Sequence, residues 1–202
     1  MFPDYFRDDV FRLETQRLWL RWPTAADATG IEKLAGEREI AEFTARIPHP
    51  YPRGGAEGFV LAARTANAEG RGLHLALALR QKPGVAIGMV SLEGAGETLK
   101  LGYWLGRMYW GSGLMSEAIG SLLDFVWLAT DVERIEAAAA LPNLRSQRAL
   151  ERAGFVATGG ALVDAPARAG ALPARKFALV RSTPRFGALP AQAGLSSCCA
   201  GR

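Results

Sequence analysis

Cysteine is nearly absent. The chain has 202 residues and two cysteines, Cys198 and Cys199, adjacent and close to the C-terminus. Neighbouring cysteines so placed make neither a disulfide framework nor a zinc site, and a body without cysteine argues against thiol redox chemistry and against a cysteine nucleophile. Histidine is as scarce: His49 and His74 stand alone, with no metal-ligand spacing around them, so no metal is expected. No apolar run reaches the roughly 18 residues of a membrane-spanning helix. No basic stretch followed by an apolar one opens the chain as in a secretory signal, so the expected location is cytoplasmic, with no membrane partner. Dense basic runs are missing too. Lys and Arg number 24 against 20 Asp and Glu, a net charge of +4, but the arginines are dispersed and carry no RNP-like or helix-turn-helix signature. That argues against nucleic acid as a partner, while a mildly basic surface suits a smaller polyanion. Two familiar phosphate loops are also absent. There is no G-x-x-x-x-G-K-[ST], and G-x-G-x-x-G fails because Ser116 stands where its third glycine belongs.

What is present is the balance of a globular protein, with 49% apolar and 22% charged residues. The length predicts one domain with a sizeable core. Residues 1–12 read as a leader segment. In "RLWLRW", Leu18, Leu20 and Trp22 alternate onto one face of a strand. Thr24 and Asp27 have capping-box spacing, so a helix follows. "IPHPYPRGG" is a proline-rich loop, and Ala56, Phe59, Val60 and Ala63 mark a second helix. Three strands come next, "LHLALALR", "AIGMVSLEG" and "TLKLGYWL", joined by glycine-rich links that suggest antiparallel neighbours. A helix from about 113 to 129 gathers Met115, Ile119, Leu122 and Val126 on one face. "VERIEAAAA" reads as a strand through Val132, Ile135, Ala137 and Ala139. "NLRSQRALERAGF" is a short helix stopped by Gly154, and "RKFALVR" is the last strand. Residues 183–202, rich in Ala, Gly, Pro and Ser, read as a flexible tail beyond a domain spanning 13–182. The order is that of a mixed α/β single domain.

"YWGSGLMSEAIGSLL" (109–123) carries the chemistry. A strand ends, Gly111 and Gly113 bracket Ser112, and a helix begins. The first turn of a helix leaves backbone N–H groups unpaired and carries partial positive charge. Glycines let a phosphate reach those groups without meeting a Cβ. A phosphate or pyrophosphate cradle is one reading; an ordinary tight strand-to-helix turn is the other.

Four stretches in order decide between them. They are "LETQRLWLR" (13–21), "IPHPYPRGGAEGFV" (47–60), "LGYWLGRMYWGSGLMSEA" (101–118) and "NLRSQRALERAGF" (143–155). Together the chain resembles the GNAT N-acetyltransferase superfamily, and within it the RimJ/RimL-like, ribosomal-protein-alanine acetyltransferase branch. The resemblance covers residues 13–181. It implies a single GNAT-like α/β domain with a mixed, mostly antiparallel central sheet flanked by helices, and an acetyl-CoA site. The pantetheine arm would lie along the strand ending Tyr103, Trp104, Leu105. The pyrophosphate would be held by the amides of Trp110, Gly111, Ser112, Gly113, Leu114 and Met115. Asn143 would contact the pantetheine amide, and Ser146, one turn on, would lie near the sulfur and help protonate the leaving thiolate. Both also read as members of a helix N-terminus, since Asn is a favoured cap. The superfamily loop, [QR]-x-x-G-x-[GA], has Met108 at its first position here, which removes one anchoring contact; Arg107 is adjacent.

The general base is not identified. The branch often has a carboxylate before L-G-Y-W, where this chain has Lys100, read as a solvated strand residue. Glu93 and Glu97 fall in a glycine-rich region read as a turn with solvated charges, and Asp164 lies after the last helix. His49 reads as part of a substrate-side loop and His74 as a strand residue. The expected activity is direct acetyl transfer to a primary amine, foremost a protein or peptide N-terminal α-amine. A small-molecule amine acceptor and a non-catalytic acyl-CoA sensor stay as alternatives, and homodimerisation stays open.

Overall fold

The computed structural model describes residues 2–168 and 170–181, so the expected tail and both cysteines lie outside the described residues. The strands are β1 (Arg12–Glu14), β2 (Leu18–Arg21), β3 (Gly72–Leu79), β4 (Ala86–Ala95), β5 (Thr98–Leu105), β6 (Arg134–Ala140), β7 (Val156–Ala165) and β8 (Gly170–Val180). The helices are α1 (Ala28–Ala35), α2 (Arg38–Ala41), α3 (Gly55–Ala68), α4 (Leu114–Ala129) and α5 (Leu144–Arg152). One eight-stranded sheet runs in the order β1-β2-β3-β4-β5-β6-β8-β7. Every neighbouring pair is antiparallel except β5 and β6. No helix of the described residues is long and apolar enough to cross a membrane.

The parallel pair is where the sheet opens. β5 and β6 pair only from Thr98↔Arg134 to Leu101↔Ala137. Beyond that point β5 stays bonded to β4, from Ser91↔Gly102 to Gly88↔Leu105, and β6 stays bonded to β8, from Ala138↔Lys176 to Ala140↔Ala174. Each limb of the fork is therefore held from outside, while its inner edge pairs with no other strand. The Gly106 N–H donates to Ile87 O on the β4 side. Backbone polar groups alternate in direction along a strand, so those of Leu105 and Tyr103 face into the fork. At about 3.3 Å per residue, the four steps from Leu101 to Leu105 give it a depth of roughly 13 Å.

Two cores cover the two faces. Met115, Ile119, Leu122 and Val126 of α4 and Leu150 of α5 pack with Leu73, Leu75, Leu77, Val90 and Leu92 of the sheet. Ile31 of α1 and Val60 of α3 pack with Ala76 and Met89 on the other face. β3 is thus covered on both sides. Its alternating leucines mark one face, and the intervening Ala76 and Ala78 are buried beneath helices on the other. The capping box of Thr24 and Asp27 is formed. Asp27 also accepts both terminal nitrogens of Arg21, at 2.7 and 2.8 Å, and the Ala86 N–H at 3.1 Å, which joins β2, the entry to α1 and β4.

The sequence bounds no strand or helix at β1, α2 or β7, although Phe155 after the Gly154 stop reads as a return to the sheet just ahead of β7. β7 is an edge strand with two glycines and five exposed residues at its start. It exists because β8 pairs with it from Val156↔Ala178 to Ala165↔Gly170. Residues 2–12, within the segment read as a leader, pack on the body. Phe2 and Phe6 are 4% and 1% exposed, Phe6 lies edge-on to Phe125 of α4 at 4.9 Å, and Trp22 Nε1 donates to Phe6 O at 3.2 Å.

Candidate active site

The glycine loop closes the wide end of the fork. After β5 the chain makes one 3-10 turn (Arg107–Tyr109), extends at Trp110 and enters α4 with Gly113 as its N-cap. Gly111 and Gly113 have φ of +75° and +78°. A Cβ at Gly111 would meet nothing within 4 Å, and one at Gly113 would meet only Arg17 Nη2 at 3.5 Å. Left-handed backbone, rather than a crowding neighbour, is what requires glycine here; the space beside both is open. The first helical bond runs from Glu117 N to Gly113 O, so the N–H groups of Leu114, Met115 and Ser116 have no partner within the helix. Ser112 Oγ donates to Tyr109 O at 2.6 Å and Trp110 Nε1 to Leu105 O at 2.7 Å, which fixes the loop's shape. The Arg145 guanidinium lies over the Trp110 ring, 4.7 Å from its centre.

The loop is clasped from across the molecule. Glu117, in the first turn of α4, accepts from Thr15 Oγ1 at 2.5 Å, Arg17 N at 2.8 Å and Arg17 Nε at 2.6 Å. Arg17 Nη1 then donates to Ser112 O at 2.8 Å. Burial pushes the Glu117 carboxyl up, but the bonds from Thr15 and Arg17 outweigh that and hold it below the usual carboxylate value. The first and third of the resembling stretches therefore meet in one contact: Thr15 and Arg17 belong to one, Ser112 and Glu117 to the other. Met108, at the position where Gln or Arg is usual, is 76% exposed. Its neighbour Arg107 pairs with Glu39 of α2. Arg17 reaches the loop backbone at Ser112 instead, as Arg145 reaches its Trp110 ring.

Across the fork stands the start of α5. Asn143 is its N-cap, with Oδ1 accepting from Ser146 N at 3.1 Å; among the described residues its NH2 makes no hydrogen bond. Ser146 Oγ lies 2.7 Å from the Tyr103 hydroxyl. Burial pushes the Tyr103 phenol up to about 12, with the Ser146 bond pulling weakly the other way, so it is neutral at any working pH.

The opposite face of the fork carries charges in a row. Glu93 of β4 is in register with Lys100 of β5, and Lys100 with Glu136 of β6, one pair before β5 and β6 part at Leu101↔Ala137. Leu101 points into the α4 core, so alternation puts Lys100 on the other face. Glu93 is in a strand, not a solvated turn: it accepts from Arg46 at 3.0 Å and lies 3.9 Å from His74. Glu136, which the sequence reading did not single out, accepts from Arg134 Nε at 2.8 Å. Burial lowers the pKa of His74, partly opposed by Glu93. Arg168, after β7, donates to the carbonyls of Ala41 and Ile47, which straps the β7–β8 turn onto the segment bearing Arg46. His49 Nδ1 lies 2.9 Å from Gly36 O in the loop before α3, and Asp164 is exposed on β7. A cavity of about 530 Å³ near the end of α4, lined by Phe2, Leu99 and Val132, is at the other end of β5 from the loop and takes no part in the site. Among the described residues no group of three His, Cys, Asp or Glu could hold a metal ion.

Known proteins share this fold. The model of an acetyltransferase (GNAT) domain matches residues 17–156. The probable N-acetyltransferase YjcK of Bacillus subtilis (strain 168) is 41% identical over 73 residues, a stretch of 34% of this chain and 40% of that protein. The microcin C7 self-immunity acetyltransferase MccE, solved with acetyl-CoA and AMP, superposes with a TM-score of 0.72 at 20% identity over 83% of this chain and 94% of that one. RimL, a ribosomal L7/L12 alpha-N-protein acetyltransferase solved with coenzyme A, gives a TM-score of 0.72 at 14% identity over 84% and 98%. The chain belongs to the GNAT acetyltransferase family.

Proposed function

We propose that this acetyltransferase takes acetyl-CoA into the fork and transfers the acetyl group to the N-terminal α-amine of a protein or peptide, as in the RimJ/RimL-like branch. One observation supports the reading above the rest: a rigid fork about 13 Å deep with unpaired helix N–H groups and two open-sided glycines at its mouth. The pyrophosphate would sit on the amides of residues 110–115, beside Arg17. The pantetheine arm would run along the inner edge of β5, past Tyr103, Trp104 and Leu105, with the Asn143 NH2 donating to one of its amide carbonyls. The thioester would then reach the apex of the fork, with Ser146 on one face and the row of Glu93, Lys100 and Glu136 on the other. Transfer is direct, since no cysteine lies among the described residues.

The acceptor class follows from proton affinity. An α-amine has a reference pKa of about 7.7–8.0 and a lysine side chain one of about 10.4, a difference of roughly 3–4 kcal/mol in the cost of deprotonation at neutral pH. On the acceptor face, Lys100, Arg46 and Arg134 outnumber Glu93 and Glu136. A cationic surrounding disfavours an ammonium and favours the neutral amine that attacks. The test is turnover of acetyl-CoA with peptides bearing a free small N-terminal residue, set against N-terminally blocked peptides with internal lysine and against small amines. Activity on the first set, rising with pH and levelling near the acceptor's own pKa, is expected. Robust acetylation of the blocked peptide at pH 7 would overturn the preference. Binding of acetyl-CoA without turnover of any amine would point to a sensor, the reading that Lys100 in place of a carboxylate favours.

A further inference from the structure

Tyr103 enters the reading above only through its backbone, yet its phenol crosses to Ser146, the hydroxyl which that reading sets beside the thioester. Tyr103 belongs to β5 and Ser146 to α5, and their hydroxyl oxygens are 2.7 Å apart. The phenol also lies 3.2 Å from the Ser146 carbonyl. That carbonyl is already the acceptor for the amide four residues on in α5. The shorter contact and the freer acceptor are both Ser146 Oγ, so the phenolic hydrogen belongs there. Ser146 is itself fixed from behind, its N–H donating to Asn143 Oδ1 at 3.1 Å.

We propose that Tyr103 is a positioning residue for the transfer: by donating to Ser146 Oγ it turns the serine hydrogen toward the sulfur of coenzyme A. A hydroxyl that receives a hydrogen bond is also a better donor, because linked bonds polarise one another. This rests on acetyl-CoA occupying the fork as proposed above. In the step assisted, the C–N bond forms as the C–S bond breaks. The electron pair leaves on sulfur, and the proton of the amine passes to water. The Ser146 hydroxyl donates a hydrogen bond to the developing thiolate, and neither it nor the phenol gives up its proton. A phenol at about 12 cannot protonate a thiolate whose conjugate acid titrates near 8.5. The role of Ser146 is accordingly hydrogen-bond donation to the thiolate rather than the proton transfer that the resemblance implies.

The thiol of bound coenzyme A reports this directly, by thiolate absorbance in the ultraviolet as pH is raised. In wild type the bound thiol should titrate below free coenzyme A. Tyr103→Phe and Ser146→Ala should each move it up by about half to one pH unit, the worth of one hydrogen bond. The double variant should move little further. For turnover, each single variant should lose about three- to tenfold in kcat, with acetyl-CoA affinity and melting temperature near wild type. Ser146→Ala keeps the test open should Tyr103→Phe fold poorly, since it removes the same chain from the surface end. If wild type binds coenzyme A and its thiol pKa is the same in Tyr103→Phe, or the two variants add independently, the inference fails and the site reading stands. If wild type binds no coenzyme A, both fall.

Discussion

The carboxylate of Glu117 accepts three hydrogen bonds, one from Thr15 and two from Arg17, and its side chain is 17% exposed. The carboxylate of Glu93 accepts from Arg46, whose own side chain is 76% exposed. On the proposed function the first lies on the cofactor side of the fork and the second on the acceptor side. Both are glutamates paired with arginine, but they differ in what they can do. A partly buried, triply bonded pair holds its geometry, whereas an exposed pair between a strand and a loop contributes about 0–1 kcal/mol and parts readily. In that proposal acetyl-CoA would meet a preorganised loop, and the acceptor a surface whose charges can be re-paired by the incoming molecule.

The contrast breaks most severely at the loop. Gly113→Glu places an anion at the helix start and forces a residue with Cβ into a left-handed conformation, which costs roughly 1–2 kcal/mol in folding. Acetyl-CoA affinity should fall at least about 100-fold by calorimetry, beyond what the melting shift explains. Gly113→Asn separates the two effects, because asparagine tolerates this backbone. It should fold nearly as wild type and bind less weakly than the Glu variant. Wild-type affinity in Gly113→Glu would remove the cradle.

Next in size is the clasp. Glu117→Gln keeps the shape and removes the charge, so the charge-assisted bonds from Arg17 weaken, at a cost of about 1.5–3 kcal/mol in urea unfolding. Acetyl-CoA should bind more weakly as the Ser112 carbonyl loses its tether. Equal mutation on the other side, Glu93→Gln, should leave stability within about 1 kcal/mol and act on the acceptor KM instead. If Glu93→Gln proves as destabilising as Glu117→Gln, the two sides are not built differently.

A smaller effect is expected at Asn143. Asn143→Asp keeps the cap acceptor for Ser146 N but replaces the NH2 donor. Stability should hold, while acetyl-CoA affinity drops about three- to tenfold, as for one lost hydrogen bond. Unchanged affinity would leave capping as the only supported role.

The same contrast explains what the sequence alone discloses. The cofactor side is local. β5, the glycine loop and α4 follow one another in 98–129, and their strand period, glycines and helix period are each visible in that order. α5 with its Asn143 cap is equally local. The acceptor side is a matter of register. Glu93, Lys100 and Glu136 come from three strands, and nothing in "RIEAAAA" says that its glutamate will stand beside Lys100. Arg17 and Glu117 both lie in quoted motifs, but their contact spans 100 residues and is made by folding. β7 has no apolar period to read, because it is exposed and exists through pairing with β8. The first twelve residues look like a leader because their aromatics lack regular spacing. They are anchored by ring packing on Phe125 instead, so Phe6→Ala should cost about 3–5 kcal/mol in unfolding.

The smallest effect lies in pH, where the two sides should respond in different windows. Glu117 has a folded pKa held below its reference of 4.5. Its contribution is complete above that reference and is lost as pH falls through the folded value. The cofactor clasp is therefore indifferent to pH between 5 and 8. His74 behaves otherwise. Burial lowers its pKa below 6.5, with Glu93 opposing and Arg46 and Arg71 reinforcing. The folded state thus binds a proton less readily than the unfolded chain. Stability is full above about 6.5 and declines as pH falls through that value toward the folded pKa. The groups concerned, His74, Glu93 and Arg46, are those of the acceptor side. Urea unfolding at pH 7.5 and 5.5 should show a loss in wild type that shrinks in His74→Gln, and the loss in Glu117→Gln should match wild type. Should His74→Gln keep the full decline, the titration belongs elsewhere, and the acceptor face is as insensitive to mild acid as the loop.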